Sequence, residues 1–253
     1  MQQILNNIIH LLNTIPSEYS LILEFAMLFS VLLLLSYHFG KLGVYAFIIL
    51  TMIIANLQVL KIVSYSFYPE PIALGKLAIC FTFLGVDLIA ECFGRRSAYK
   101  GVFLGFIINV SFILLMIITV GYKPAISVQA TNFHEHLKTI FTPAPGIFLA
   151  GVIAFIASQL LDITLFLKLK EKFQGRLLGI RYFLSVTLAS LIDNIIFYTL
   201  ALYIFNNFVD LKTLIYSYIL GTLIFRVCII ALSSTMINVI KNVVMTSRSF
   251  HEN

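Results

Sequence analysis

Seven stretches of roughly twenty mostly apolar residues run almost end to end through the chain, at about 20–38, 42–60, 73–93, 101–120, 146–166, 182–205 and 214–239. Each is as long as an α-helix must be to cross the hydrocarbon core of a bilayer. Little sequence is left to cover such a core in water, since 60% of the 253 residues are apolar and 11% are charged. A soluble domain carries roughly a quarter of its residues charged. A membrane β-barrel would show alternating segments of about ten residues instead. An ordinary soluble enzyme, a disordered chain and a secreted disulfide scaffold are excluded. The expected fold is all-α, a polytopic helical membrane protein with six to seven transmembrane helices in one bundle.

Residues 1–19 read as an amphipathic leader lying in the membrane interface. Ile4, Leu5, Ile8, Ile9, Leu11, Leu12 and Ile15 recur at helical spacing, Asn6, Asn7, His10 and Asn13 take the other side, and Pro16 ends the pattern. With no basic residues before its apolar part, it is not a signal peptide. Residues 20–253 form the membrane domain. A tight turn at Gly40 and Lys41 joins its first two segments. The longest connection, 121–145, holds Pro124, Pro143 and Pro145 and a short surface helix around Asn132–Phe141. Cys80, Cys92 and Cys228 lie in or beside apolar runs without C-x-x-C spacing, so they are small buried residues rather than a disulfide or a metal set. His134 and His136, with no further ligands nearby, are not a zinc motif. Gly101 and Gly105 form a helix-packing GxxxG.

The net charge of +6 is unevenly placed. With seven spans, eleven Lys and Arg fall on the side holding loops 39–41, 94–100, 167–181 and the C-terminus, against four on the other. Cytoplasmic loops carry such an excess. The C-terminus is therefore expected in the cytoplasm and the N-terminus outside.

Charges inside a bilayer cost on the order of 2.5–3.5 kcal/mol each on insertion scales, yet Glu24, Asp87, Glu91, Asp162, Asp193, Lys76 and Arg226 all interrupt apolar segments. Asp87 and Glu91 share one helix face at i, i+4, with Lys76, Cys80 and Phe83 on the same side. Gln159 and Asp162, three apart, present an amide and a carboxylate in one patch. Asp193 lies twelve residues beyond Arg181, roughly 18 Å deep at 1.5 Å per residue, flanked by Ser190 and Asn194. Tyr218, Thr222 and Arg226 make a polar stripe on the last segment. Arg226 either neutralises an aspartate or binds an anionic or carbonyl group. Asn56 is placed at the rim of the same cavity, and Glu24 and Gln58 at the membrane interface. The Asp87–Glu91 pair also has a purely structural reading, as an acidic pair held by a neighbouring cation, Arg95 or Arg226, and Gln159 and Asp162 have one as interhelical hydrogen bonding. No H-E-x-x-H, G-x-S-x-G or P-loop occurs, so neither an intramembrane hydrolase nor an ATPase is supported.

At these residues the chain resembles the YhhQ-type queuosine precursor transporters, also called vitamin uptake transporters. The resemblance rests on FLGVDLIAECFG followed by Arg95, Arg96 and Lys100, on SQLLDITLF with its Lys-rich loop, and on TLASLIDNIIFYTLALY. It runs from about Tyr45 to Met236; the first apolar segment looks like an addition. It implies uptake of 7-deazaguanines (queuine, or the 7-cyano and 7-aminomethyl precursors) across the bacterial inner membrane for tRNA modification. It carries the family's functional positions onto Asp87, Glu91, Gln159, Asp162, Ser190, Asp193 and Arg226. No catalytic residue, metal or cofactor is implied. The partners are the lipid bilayer and a purine-like small molecule, without direct contact with nucleic acid, and a homodimer is left open.

The chemistry agrees with that substrate. A 7-deazaguanine presents two donors, N1–H and the exocyclic amine, which a carboxylate accepts as a pair. Its O6 wants a donor, available from Gln159, Asn56 or Arg226. Its ring wants aromatic faces, available from Phe81, Phe83, Phe197 and Tyr198. Two rival readings differ in class. One is the substrate-binding subunit of an ATPase-coupled vitamin importer, in which small-xxx-small packing falls in the first helix; here Ala150 and Ala154 place it in the fifth segment. The other is a membrane enzyme or assembly factor.

Overall fold

The computed structural model describes residues 2–141, 145–205 and 210–251, with side chains for all of these except 68–70, 145–148, 217 and 247–251. Pro143 and the start of the 206–213 loop lie outside the described residues. The first helix, α1 (Gln2–Thr14), keeps every side chain exposed. Next comes α2 (Ser17–Gln58), which is two helical arms rather than one rod. Gly40 breaks it with φ 53° and ψ −125°, a conformation open to glycine and almost closed to L-residues. The chain doubles back so sharply that a Cβ on Gly43 would lie 1.9 Å from the Leu35 carbonyl oxygen. At the far end, the Gln58 amide reaches the Glu24 carboxylate at 2.7 Å, so the arms run antiparallel. This is the tight turn expected at Gly40. Replacing Gly43 with Ala should abolish the folded protein in membranes, while Gly121→Ala, where a Cβ meets nothing within 4 Å, should leave it intact. Detergent extraction followed by gel filtration compares the two.

A small β-hairpin follows, β1 (Ile62–Tyr65) and β2 (Tyr68–Ala73), paired antiparallel with Ile62 opposite Ala73 and Val63 opposite Ile72. A lone two-stranded hairpin is marginal in water; this one is fastened. Tyr65 stacks on Phe225 with centroids 5.3 Å apart, and the Ser66 amide and hydroxyl both donate to Glu18. The hairpin fills the stretch between the second and third apolar segments, where the sequence pattern marks no element.

The remaining elements are α3 (Lys76–Phe93), α4 (Arg95–Gly121), α5 (Val128–Phe141), α6 (Pro145–Lys172), α7 (Leu178–Tyr198), a π-helical turn at Thr199–Ile204, α8 (Leu211–Thr213), a second π-helical segment at Leu214–Gly221, and α9 (Thr222–His251). Asp210 starts the last run by accepting the Lys212 and Thr213 amides. Helical structure continues well past 239, where the apolar pattern fades, because Ile240 and Val244 are buried and Lys241 finds an ion-pair partner.

Five of these helices are long and apolar enough to cross a membrane, and α2 among them divides at Gly40. The charged α3 makes the seventh arm. It is the axis of the bundle, touching α2, α4, α6, α7 and α9 and buried along nearly its whole length. Gly101 and Gly105 let α4 lie against α2: added Cβ atoms would come within 2.9 Å of the Tyr45 ring and 2.6 Å of the Met52 sulfur. Large apolar side chains such as Leu34, Leu42, Leu115, Ile118 and Ile224 face outward, while Asp87, Gln159, Asp162, Arg181, Asn194 and Arg226 are buried. In water this distribution would be ruinous; in lipid it is the expected one, with costly polar groups kept inside the bundle. The protein is a multi-pass membrane protein.

Candidate functional site

The buried polar residues form three tiers along the bundle axis. In the first, α7 and α9 meet at an ion pair, Arg226 Nη1 to Asp193 Oδ2 at 2.7 Å. The Ser158 hydroxyl on α6 donates to the other Asp193 oxygen at 3.3 Å. Next to it, Asn194 donates to the Thr222 hydroxyl oxygen at 2.9 Å and to the Ile219 carbonyl at 3.2 Å. That carbonyl belongs to a π-helical segment, a widened turn that recurs at functional sites. Lys76 Nζ sits over Tyr198, 4.7 Å from its centroid, with Phe197 at 5.8 Å.

The second tier is acidic. Asp87 on α3 and Asp162 on α6, both fully buried, lie within electrostatic reach of one another. The Ser185 hydroxyl of α7 donates to Asp87 Oδ2 at 3.4 Å. The tiers are joined along α6, because Ser158 and Asp162 are one turn apart, about 6 Å in rise. They are joined along α3 through Cys80, which is buried two turns before Asp87 and within electrostatic reach of Lys76, Arg226 and Asp193. Polar interior atoms normally have partners. Here many have none among the described residues: Asp87 Oδ1, both oxygens of Asp162, both polar atoms of Gln159, the Ser190 hydroxyl, Asn194 Oδ1 and Arg226 Nε. Such a set is poorly explained as structural glue and well suited to holding a polar ligand.

The third tier is Glu91, one turn beyond Asp87. Lys170, Arg181 and Lys241 approach it at 2.9, 3.2 and 2.8 Å. The structure thus brings Asp87, Gln159, Asp162, Ser190, Asp193 and Arg226 into one polar interior. It does not bring Asn56 there, whose amide donates to Asn109 at 2.8 Å between α2 and α4. Glu24 accepts from the Gln58 amide at 2.7 Å and lines a small cleft under the hairpin with Lys76, Tyr65 and Phe225. The cations holding Glu91 are not Arg95 or Arg226, and Asp193 holds Arg226.

Sequence reasoning passed over Arg181, Ser185 and Ser158. The signal was present: Arg181 and Ser185 stand at i and i+4 on one face of α7, and Ser158 is four residues before Asp162. Arg181 was counted as a loop cation, yet its side chain is wholly buried.

A central helix carrying carboxylates is thus wrapped by apolar helices and surrounded by buried polar atoms without partners among the described residues. Residues 73–240 match the family described as "Putative vitamin uptake transporter". A protein of Bacillus subtilis (strain 168) named "Probable queuosine precursor transporter" is 32% identical over 179 residues, covering 70% of this chain and 76% of that one. The chain belongs to the vitamin uptake transporter family. The matched region holds the first two tiers and all of the third except Lys241, one residue beyond it, whereas Asn56 falls before it. No solved structure matches the chain.

Proposed function

We propose that this protein imports queuosine precursors, 7-deazaguanines such as queuine and its 7-cyano and 7-aminomethyl forms, across the bacterial inner membrane for tRNA modification. One observation carries the reading: buried polar atoms of α3, α6, α7 and α9 lack partners and together match a guanine-like edge. Asp87 and Asp162 are acceptors for N1–H and the exocyclic amine, and a second carboxylate serves the ammonium of an aminomethyl substrate. Gln159 and the free Nε–H of Arg226 are donors for a ring carbonyl. Phe197 and Tyr198 supply aromatic faces near Lys76. Asp193 and the Ser190 carbonyl hold Arg226, and the Ser190 hydroxyl is a further buried group without a partner among the described residues. The name of the Bacillus subtilis relative supports the same substrate class. Asn56 and Glu91 stand outside this first contact layer, one in helix packing and one in the ionic tier. The membrane domain spans 20–253, preceded by the interfacial leader.

Uptake of labelled queuine and its precursors by a host lacking its own transporter tests the reading. Uptake by this chain expressed alone supports a self-sufficient carrier; a requirement for ATPase subunits would favour the importer-subunit alternative. For orientation, the basic loops and Lys241 lie at the same end of the bundle, where Lys170, Arg181 and Lys241 meet Glu91. That end is assigned to the cytoplasm. Cysteines at the exposed positions Arg96 and Glu171 should resist an impermeant thiol reagent in intact cells, and one at Gln129 should react. The opposite pattern would reverse the topology.

A further inference from the structure

We propose that Glu91, Lys170, Arg181 and Lys241 form a reversible ionic latch that closes the cytoplasmic end of the carrier and parts to release substrate. The inference rests on the carrier reading but not on which substrate is carried.

Glu91 closes α3, and each of its three cations comes from a different helix: Lys170 from α6, Arg181 from α7 and Lys241 from α9. The four helices that line the polar interior are therefore tied at one point, one turn beyond Asp87. The Glu91 side chain is only 3% exposed, so the knot plugs that end. Lys170 also donates to the Glu91 carbonyl at 3.1 Å. Arg181 is fixed more firmly still. Its Nε and Nη2 donate to the Arg176 and Gly175 carbonyls, and its guanidinium lies 4.9 Å from the Phe166 centroid. It holds the α6–α7 turn and presents a constant positive charge.

The two lysines differ from it. Their side chains are 32% and 33% exposed, so water already reaches them and stands ready to take over from Glu91. Breaking a wholly buried ion pair strands a charge in apolar surroundings, whereas a partly hydrated pair separates at small cost. By that criterion the Arg226–Asp193 pair, with its guanidinium 1% exposed, is built to persist, and the Glu91 knot is built to open on its lysine side. Three cations on one carboxylate also leave an excess of positive charge, which drives the lysines toward water once Glu91 moves. Rocking of helix groups around a midplane site is how such carriers alternate their access.

Cys80, fully buried beside the first tier, is the reporter. The experiment measures its reaction with a small impermeant methanethiosulfonate in a Cys92→Ala/Cys228→Ala background, in inside-out and right-side-out vesicles. Lys170→Gln/Lys241→Gln is expected to raise the rate at Cys80 at least tenfold in inside-out vesicles alone. Glu91→Gln should do the same, and Lys168→Gln, at an exposed position of α6, should leave the rate unchanged. Should Glu91→Gln fail to fold, the lysine pair decides the matter, since neither substitution strands a wholly buried charge. No change in the lysine variant, or an equal rise from both faces, overturns the latch. Uptake of deazaguanines with no response at Cys80 defeats the latch and leaves the proposed function standing. A response at Cys80 without deazaguanine uptake does the reverse.

Discussion

Arg226→Met should cost this protein much of its folded population, and restoring neutrality with Asp193→Asn should bring back the fold without bringing back transport. In the native chain the guanidinium of Arg226 is buried and bonded to Asp193 at 2.7 Å. Methionine keeps much of the length and removes the charge, leaving Asp193 with the Ser158 hydroxyl at 3.3 Å. Removing one partner of a buried ion pair costs about 3–5 kcal/mol, while replacing both with neutral groups is often neutral or stabilising. The single variant should melt at markedly lower temperature in detergent and reach the membrane in reduced amount. The double variant should recover both. If Arg226 Nε, unpartnered among the described residues, is a donor to the substrate, uptake stays lost in the double variant. Recovery of uptake together with folding would make the pair purely structural.

The seven arms of the bundle are legible in the sequence because bilayer thickness sets a length that local composition reports directly. The turn at Gly40 is legible too, since Gly40 and Lys41 interrupt an otherwise continuous apolar run. The β-hairpin is not. Pro69 and Pro71 within β2 argue against a strand, and what holds the hairpin is remote, the Phe225 ring on α9 and Glu18 at the start of α2. The two π-helical segments share composition with ordinary helix, so nothing local marks them.

For the site, burial of charge in apolar runs singles out the aspartates, because any charge there must be explained. Pairing is a different question. Arg226 finds Asp193 at a separation of 33 residues, and Arg181 finds Glu91 across 90. Only helix packing decides such partners. Asn56 shows the converse: one polar residue in an apolar arm reads as site-facing, but Asn109 on α4 is what it meets. Lys170, Arg181 and Lys241 add to the charge bias toward one side of the bundle and also hold Glu91. One sequence signal thus carries the side bias and hides a second structural role.

Asp162→Asn and Asp87→Asn should lower uptake at least tenfold while leaving the protein as stable as the native chain, or more so. Both carboxyls are fully buried and neither has an ion-pair partner among the described residues; they face each other, and the Ser185 hydroxyl between them donates to Asp87 at 3.4 Å. A carboxylate without a cation gains little from its charge in such surroundings and pays for desolvation. Asparagine keeps the shape and removes that cost, so melting temperature and membrane level should hold or rise. Binding should suffer, because the amide places a donor where the substrate's N1–H and amine already donate. A mismatched buried pair costs about 1–3 kcal/mol, and 1.4 kcal/mol is about a factor of ten in affinity. Glu24→Gln is the contrast: it removes a charge in the cleft under the hairpin, beside Lys76 and bonded to Gln58 rather than to any of the aspartates, and uptake should persist. Stability raised and transport lost in the same variant is the signature of a group kept for its ligand. Unchanged uptake in both aspartate variants would leave these carboxyls without a role in binding, and a loss of folding in both would make them structural.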